Sequence, residues 1–101
     1  MSRSVLVTGL GFITSIGNDA ASVVASLRQG RHGMVVQPLC DNPQVPVNVI
    51  APIRDFAVES PSWRDWSWPE RYDLPRETLR GLSPHGVYAF CAMEQALADA
   101  G

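Results

Sequence analysis

The sequence predicts an α/β fold, on three observations. Residues 5–8, Val-Leu-Val-Thr, form a β-branched apolar run close to the amino terminus, and glycines follow at positions 9 and 11. An uninterrupted apolar run this short, bounded by glycine, is typical of a strand buried on both faces, as in parallel sheets. Two segments with helical spacing lie further along, at 20–29 and 84–100. A strand that leads into helices is the unit from which α/β domains are built.

The first helix is predicted from Ala20 to Gln29. Asn18 and Asp19 can cap its amino terminus, and Gly30 can provide a left-handed stop after its last turn. Spacing of three to four residues predicts one apolar face, made of Ala20, Val23, Val24 and Leu27.

Residues 37–80 are predicted to form a long irregular insertion or edge segment. Prolines are frequent in its first part, where Val45, Val47 and Val49 alternate with polar residues or proline. Proline is tolerated at the edge of a sheet and not at its centre, so this part is expected to be an edge hairpin or an extended arm.

Three tryptophans, Trp63, Trp66 and Trp68, mark the second part of this segment. Aromatic residues interleaved with arginine can indicate a surface that stacks on nucleic-acid bases. Residues 54–80, however, hold five arginines against six acidic residues, so the basic field that such binding requires is missing. The indoles are expected to pack over a neighbouring element. The alternative is a non-catalytic interaction module that uses this tryptophan loop.

The last helix has the clearest boundaries. Ser83 caps it, Pro84 takes the first helical position, and Gly101 is a suitable stop. Its apolar stripe is predicted to contain Val87, Phe90, Cys91 and Leu97, with Glu94, Gln95 and Asp99 off the stripe. A helix of this kind after a strand–helix opening calls for another strand. The chain is therefore expected to be the front part of a longer protein.

Composition excludes several classes of function. With 46% hydrophobic and 18% charged residues the chain is expected to be globular, and a formal charge of −2 gives no electrostatic case for nucleic acid or an anionic membrane. There is neither an apolar run of about 20 residues nor a signal-peptide pattern, so a cytoplasmic protein is expected.

The residues themselves predict no catalytic, cofactor-binding or metal site. Gly9, Gly11 and Thr14 make a partial match to the dinucleotide fingerprint G-x-G-x-x-G, with Thr14 in place of the third glycine and the helix starting late. Arg31 could suit a 2′-phosphate, so a small NADP-binding domain is one alternative. Metal-ligand spacings are missing.

Isolated reactive side chains do not change that prediction. His32 is expected to be a solvated loop residue. Cys40 is expected to be an incidental loop thiol, and Cys91 a buried structural thiol on the last helix. The two cysteines are too far apart, and in contexts too different, to make a redox motif.

Two stretches carry a family resemblance. Residues 5–17, Val-Leu-Val-Thr-Gly-Leu-Gly-Phe-Ile-Thr-Ser-Ile-Gly, lead into a capped helix that ends Leu-Arg-Gln-Gly at 27–30. Residues 94–101 read Glu-Gln-Ala-Leu-Ala-Asp-Ala-Gly. In this order the two stretches resemble the amino-terminal portion of the β-ketoacyl-[acyl-carrier-protein] synthases, most closely the elongating types I and II.

The resemblance implies a partial thiolase-like fold, the amino-terminal piece of an α-β-α-β-α sandwich, in a homodimeric parent. It implies decarboxylating Claisen condensation with acyl carrier protein as partner and no cofactor. The family's cysteine nucleophile and two histidines lie downstream of the matched region, so no catalytic residue can be placed in residues 1–101 and the fragment itself is expected to be inactive. Glycines 9, 11 and 17 match glycines of the family, and the role that the resemblance implies for them is to shape the turn after the first core strand. A relative that has lost the cysteine and only decarboxylates is also compatible with the match.

Overall fold

Helices and one small sheet make up the regular structure of residues 2–40 and 42–101, which a computed structural model describes. In chain order the elements are α1 (Ala20–Arg28), β1 (Val35–Val36), β2 (Val49–Ile50), α2 (Arg76–Arg80) and α3 (Pro84–Ala100), with a 3₁₀ turn at Trp63–Asp65 before α2. This mixture of helix and strand is consistent with the predicted α/β class. Within the two described ranges, no helix is long and apolar enough to cross a membrane.

Helix α1 begins at the predicted residue and ends at Arg28, one residue before the predicted Gln29. The Asp19 carboxylate accepts a 2.7 Å hydrogen bond from the backbone N–H of Ser22, and this bond lowers the pKa of Asp19. Gly30 has a φ of +65°, the left-handed conformation that ends the helix. The prediction of the apolar face is partly wrong: Val23 is buried, but Val24 and Leu27 are largely exposed.

Strands β1 and β2 form an antiparallel pair whose first strand precedes the segment predicted to be an edge hairpin or extended arm and whose second strand lies near the end of the proline-rich part. Val35 lies opposite Ile50 and Val36 opposite Val49. Backbone hydrogen bonds continue the pairing towards the turn, from the N–H of Gln37 to the carbonyl of Asn48 at 2.8 Å. The pair contacts no other strand in the described ranges, so its predicted place at the edge of a larger sheet stays a prediction.

The hydrophobic core lies between α3 and the irregular segment that precedes it. Its buried members are Phe56, Val58, Tyr72, Leu74, Leu79, Val87 and Cys91. The three indoles pack against this cluster, which confirms the packing role expected of the tryptophan loop. Two hydrogen bonds of 2.9 Å between the backbones of Ala57 and Ser67 hold the loop in register over the core.

Helix α3 also has its predicted boundaries, with one difference in its buried face. The Ser83 hydroxyl accepts from the N–H of Gly86 at 3.3 Å, and Gly101 ends the helix with a φ of +85°. Val87 and Cys91 are fully buried as expected. Gln95 is buried too, whereas Leu97 is 62% exposed, so the predicted stripe is wrong at these two positions.

Residues 5–8 are the largest departure from the prediction. Val5, Leu6 and Val7 are 96%, 79% and 80% exposed, and the segment has no regular secondary structure and no strand partner among the described residues. A strand is buried on both faces only where other strands flank it, and residues 2–40 and 42–101 supply none here. The radius of gyration, 16.5 Å, exceeds the roughly 13 Å of a compact domain this size, in keeping with so much exposed apolar surface.

Candidate functional site

Two glycines hold residues 9–17, which we call the glycine loop, against helix α3. A Cβ atom added to Gly9 would lie 2.1 Å from the carbonyl oxygen of Ala96, and one added to Gly11 would lie 1.9 Å from that of Ala92. Both distances are far below van der Waals contact, so only glycine permits this approach of loop to helix. The backbone that a dinucleotide would need to reach is already covered by α3. Glycines 9 and 11 therefore serve packing against α3. Their backbone is not open to the phosphates of NADP, as the alternative of an NADP-binding domain requires.

Side chains of α3 accept hydrogen bonds from the backbone of this loop, as the backbone of a neighbouring strand would. The carboxylate of Asp99 accepts from the N–H of Leu10 at 3.0 Å, and the amide oxygen of Gln95 accepts from the N–H of Phe12, also at 3.0 Å. Residues four apart on a helix rise about 6 Å, close to the advance of two residues along an extended chain. This match lets one helix satisfy alternate backbone groups of the loop.

Gln95 is the centre of a buried polar network. Its amide nitrogen lies 3.0 Å from the carbonyl oxygen of Phe12, 2.5 Å from that of Asn18 and 2.6 Å from the Tyr72 hydroxyl. The Tyr72 hydroxyl also accepts from the guanidinium of Arg71 at 2.6 Å. One side chain thus joins α3 to Phe12 and Asn18 and to the core segment at Tyr72. The sequence analysis placed Gln95 off the buried stripe because glutamine is polar, although it follows positions 87 and 91 at the same four-residue spacing.

A polar pocket of about 450 Å³ opens beside the glycine loop and α1. Its charged side chains are mixed in sign, with Arg31 and Arg54 against Asp19 and Asp55. Mixed charge gives the pocket no strong preference for anion or cation.

One wall of this pocket holds a polar atom without a partner. The Asn18 side-chain nitrogen donates to the carbonyl of Arg54 at 2.7 Å, whereas its Oδ1 is buried and accepts no hydrogen bond from the described residues. Buried acceptors are nearly always paired, with protein or with water. Because Oδ1 is itself buried, it is not exposed to a ligand in the pocket.

The hydroxyl and imidazole groups around the pocket are engaged in holding the backbone. Thr14 donates to the carbonyl of Gly17 at 2.8 Å, and Ser26 donates to that of Ile16 at 2.7 Å. His32 is exposed, as predicted, and its Nδ1 accepts from the N–H of Met34 at 3.2 Å. A nucleophile needs a base within hydrogen-bond reach, and these groups do not form such a pair.

The two cysteines differ in exposure as predicted. Cys40 is exposed, whereas Cys91 is fully buried in the core. Burial is the main reason that the pKa of the Cys91 thiol is raised to about 11. A thiol with this pKa stays protonated at neutral pH and is unsuited to nucleophilic attack. Within the described ranges, no group of three or more metal-ligating side chains is found.

This difference predicts the thiol chemistry of the native chain. Titration with Ellman's reagent at pH 8 is expected to modify Cys40 rapidly and to leave Cys91 unmodified until urea unfolds the core, because Cys91 is both inaccessible and protonated. A C40S variant, which retains Cys91, serves as the control. Rapid modification of C40S without denaturant would show that the core is open.

Comparison with known proteins identifies similar sequences of much greater length. The chain is 36% identical over 101 residues, its whole length, to "3-oxoacyl-[acyl-carrier-protein] synthase 1" of Escherichia coli (strain K12). It is 32% identical over 99 residues to the protein of the same name from Haemophilus influenzae. In both cases it covers 21% of the relative, so it spans about a fifth of the length of the curated proteins it matches.

No family model matches the chain, and no solved structure gives a significant match. The similarity to the curated synthases nevertheless extends from the apolar run at 5–8 to the end of α3. The sequence stretches that resemble this family are thus parts of one continuous match. Over its whole length, this chain matches an amino-terminal piece of a 3-oxoacyl-[acyl-carrier-protein] synthase.

Proposed function

We propose that residues 1–101 are the amino-terminal part of a β-ketoacyl-[acyl-carrier-protein] synthase. The parent enzyme would join an acyl thioester to malonyl carrier protein by decarboxylating Claisen condensation, in fatty acid or polyketide synthesis. The observation that carries the proposal is the 36% identity to a synthase across the entire chain.

The part played by these residues is structural. The only two thiols are a buried one with a raised pKa and an exposed one in a loop. The described residues form a closely packed contact between the glycine loop and α3. Glycines 9 and 11 allow the close approach, and Gln95 hydrogen-bonds to the loop. We infer that this contact fixes the direction of residues 5–8, so that their exposed apolar side chains enter the parent's thiolase-like core.

The remaining properties follow from the parent enzyme. Acyl carrier protein and acyl or malonyl thioesters would be its partners, and it would act as a cytoplasmic homodimer without a cofactor. The nucleophilic cysteine and the two histidines that assist loss of carbon dioxide would lie beyond residue 101. A parent without that cysteine would decarboxylate malonyl carrier protein and leave the acyl chain untransferred.

The activity of the isolated chain tests the structural role. Purified residues 1–101 are expected to release no carbon dioxide from malonyl carrier protein and to form no condensation product, because the residues that the structure describes form no nucleophile–base pair. Full-length E. coli 3-oxoacyl-[acyl-carrier-protein] synthase 1 provides the positive control. Turnover by the 101-residue chain would contradict the structural role assigned to it.

A further inference from the structure

A second cavity, of about 310 Å³, lies in the tryptophan loop. All three tryptophans of the protein line it, at positions 63, 66 and 68. Leu74 and Leu79 complete its apolar surface. The synthase assignment gives this cavity no role. Its volume is at the lower end of the range for small-molecule sites, large enough for one or two fused rings.

The indole N–H groups of two of these tryptophans are already bonded to backbone carbonyls. Trp66 Nε1 donates to the carbonyl of Ser60 at 2.7 Å, and Trp68 Nε1 donates to that of Tyr72 at 2.9 Å. These bonds fix the orientation of both rings. Held aromatic rings favour a planar ligand, which can stack on them or meet them edge to face.

The charged groups at this cavity have one sign. Arg64 and Arg76 line it, and no carboxylate of the described residues does. The Arg64 guanidinium lies 4.9 Å from the centroid of the Trp63 ring, so it is held over an aromatic face. Guanidinium groups bind carboxylates through paired, charge-assisted hydrogen bonds. The cavity therefore combines flat apolar walls with a cationic rim.

We propose that the tryptophan cavity binds a small planar anion, an aryl carboxylate, with its ring against the indoles and its carboxylate on Arg64 and Arg76. Both parts of the ligand are needed. An aromatic ring alone leaves the two guanidiniums unused, and a small carboxylate alone leaves the apolar walls in contact with water. This site is independent of the synthase assignment, since the residues that form it lie between 60 and 79.

The tryptophans allow a direct test by NMR. Three indole N–H signals are expected from ¹⁵N-labelled protein, one for each tryptophan. Titration with 2-naphthoate is expected to shift these signals saturably, with a dissociation constant of about 1 mM or below. The neutral analogue 2-naphthamide is expected to bind at least about tenfold more weakly, since it lacks the charge that the arginines recognise.

Matched arginine variants locate the site. Arg76→Gln is expected to weaken 2-naphthoate binding by about tenfold and to leave the naphthamide titration unchanged. Arg80→Gln removes the same charge from the same short helix but lies outside the cavity, so it is expected to bind like the parent chain. Arg64→Gln provides a second variant, should Arg76→Gln alter the indole spectrum in the absence of ligand.

Three results would overturn the proposal. The indole signals could remain unmoved by 2-naphthoate up to about 10 mM, which is weaker than a specific site of this size should bind. Naphthoate and naphthamide could bind equally, which would indicate apolar contact without anion recognition. Arg80→Gln could weaken binding as much as Arg76→Gln does, which would indicate attraction by net charge alone.

Discussion

Replacing Gln95 by leucine is expected to lower the free energy of unfolding by about 2–4 kcal/mol. Leucine has nearly the same volume but forms no hydrogen bonds. The change leaves the N–H and carbonyl of Phe12 and the carbonyl of Asn18 without the partners they have in the native chain. Partly buried backbone groups that lose their partners cost more than the bonds contributed, because they cannot all return to water. Urea unfolding followed by circular dichroism measures the difference.

The neighbouring position provides the control for this variant. Glu94 lies on the same helix and is exposed, so Glu94→Leu introduces the same side chain without breaking the network. Its effect is expected to stay within about 0.5 kcal/mol. Equal effects at positions 94 and 95 would show that the polar network contributes nothing to stability.

Replacing Gly11 by alanine is expected to destabilise the fold by about 2–4 kcal/mol. The new Cβ would lie 1.9 Å from the carbonyl oxygen of Ala92 and 2.8 Å from its carbonyl carbon. Both are backbone atoms of α3 and cannot rotate away as a side chain could. The loop must therefore move off the helix, which also stretches the hydrogen bonds between Phe12 and Gln95. Thermal unfolding measures the loss.

Gly81→Ala is the matched control for this substitution. At Gly81 the nearest atom to an added Cβ is 3.8 Å away, and the φ of −95° suits any L-residue. This change is expected to be neutral or slightly stabilising, because alanine restricts the unfolded chain more than glycine does. A Gly11→Ala variant as stable as Gly81→Ala would disprove the close approach of loop and helix.

Helices α1 and α3 could be predicted because the signals that end them are local, whereas the short helix α2 lies in the segment that was predicted to be irregular. Asp19 and Ser83 each bond to an N–H three residues on, and Gly30 and Gly101 adopt left-handed conformations directly after a last turn. Each of these interactions stays within a few residues, so the pattern of residue types is enough to indicate it.

The core could not be predicted in the same way. Its members at 56–79 come from a segment with little regular structure, where apolar residues follow no period. Their burial depends on contacts with α3 across the chain. The reverse holds for Val5 and Val7, whose pattern is that of a buried strand although the described residues leave both exposed. Local pattern indicates how a segment can be buried, whereas its neighbours in space decide whether it is.

The polar site was the least predictable part. Gln95 has the four-residue spacing of Val87 and Cys91, yet its residue type argued for an exposed position. Its burial is compensated by loop backbone groups more than 70 residues away in sequence. No pattern within the helix could indicate those partners. The mixed charges of the pocket likewise come from three separate segments, at 19, 31 and 54–55, that only folding brings together.

Exchange of the matched region in a characterised relative tests most directly whether residues 1–101 are the amino-terminal part of a synthase. In this chimera, residues 1–101 replace the corresponding amino-terminal fifth of E. coli 3-oxoacyl-[acyl-carrier-protein] synthase 1, and condensation of an acyl thioester with malonyl carrier protein is measured. The chimera is expected to fold and to retain condensing activity, and the same chimera carrying Gly11→Ala is expected to lose both. A chimera that folds stably but forms no condensation product would contradict the proposal that this chain is the amino-terminal part of such a synthase.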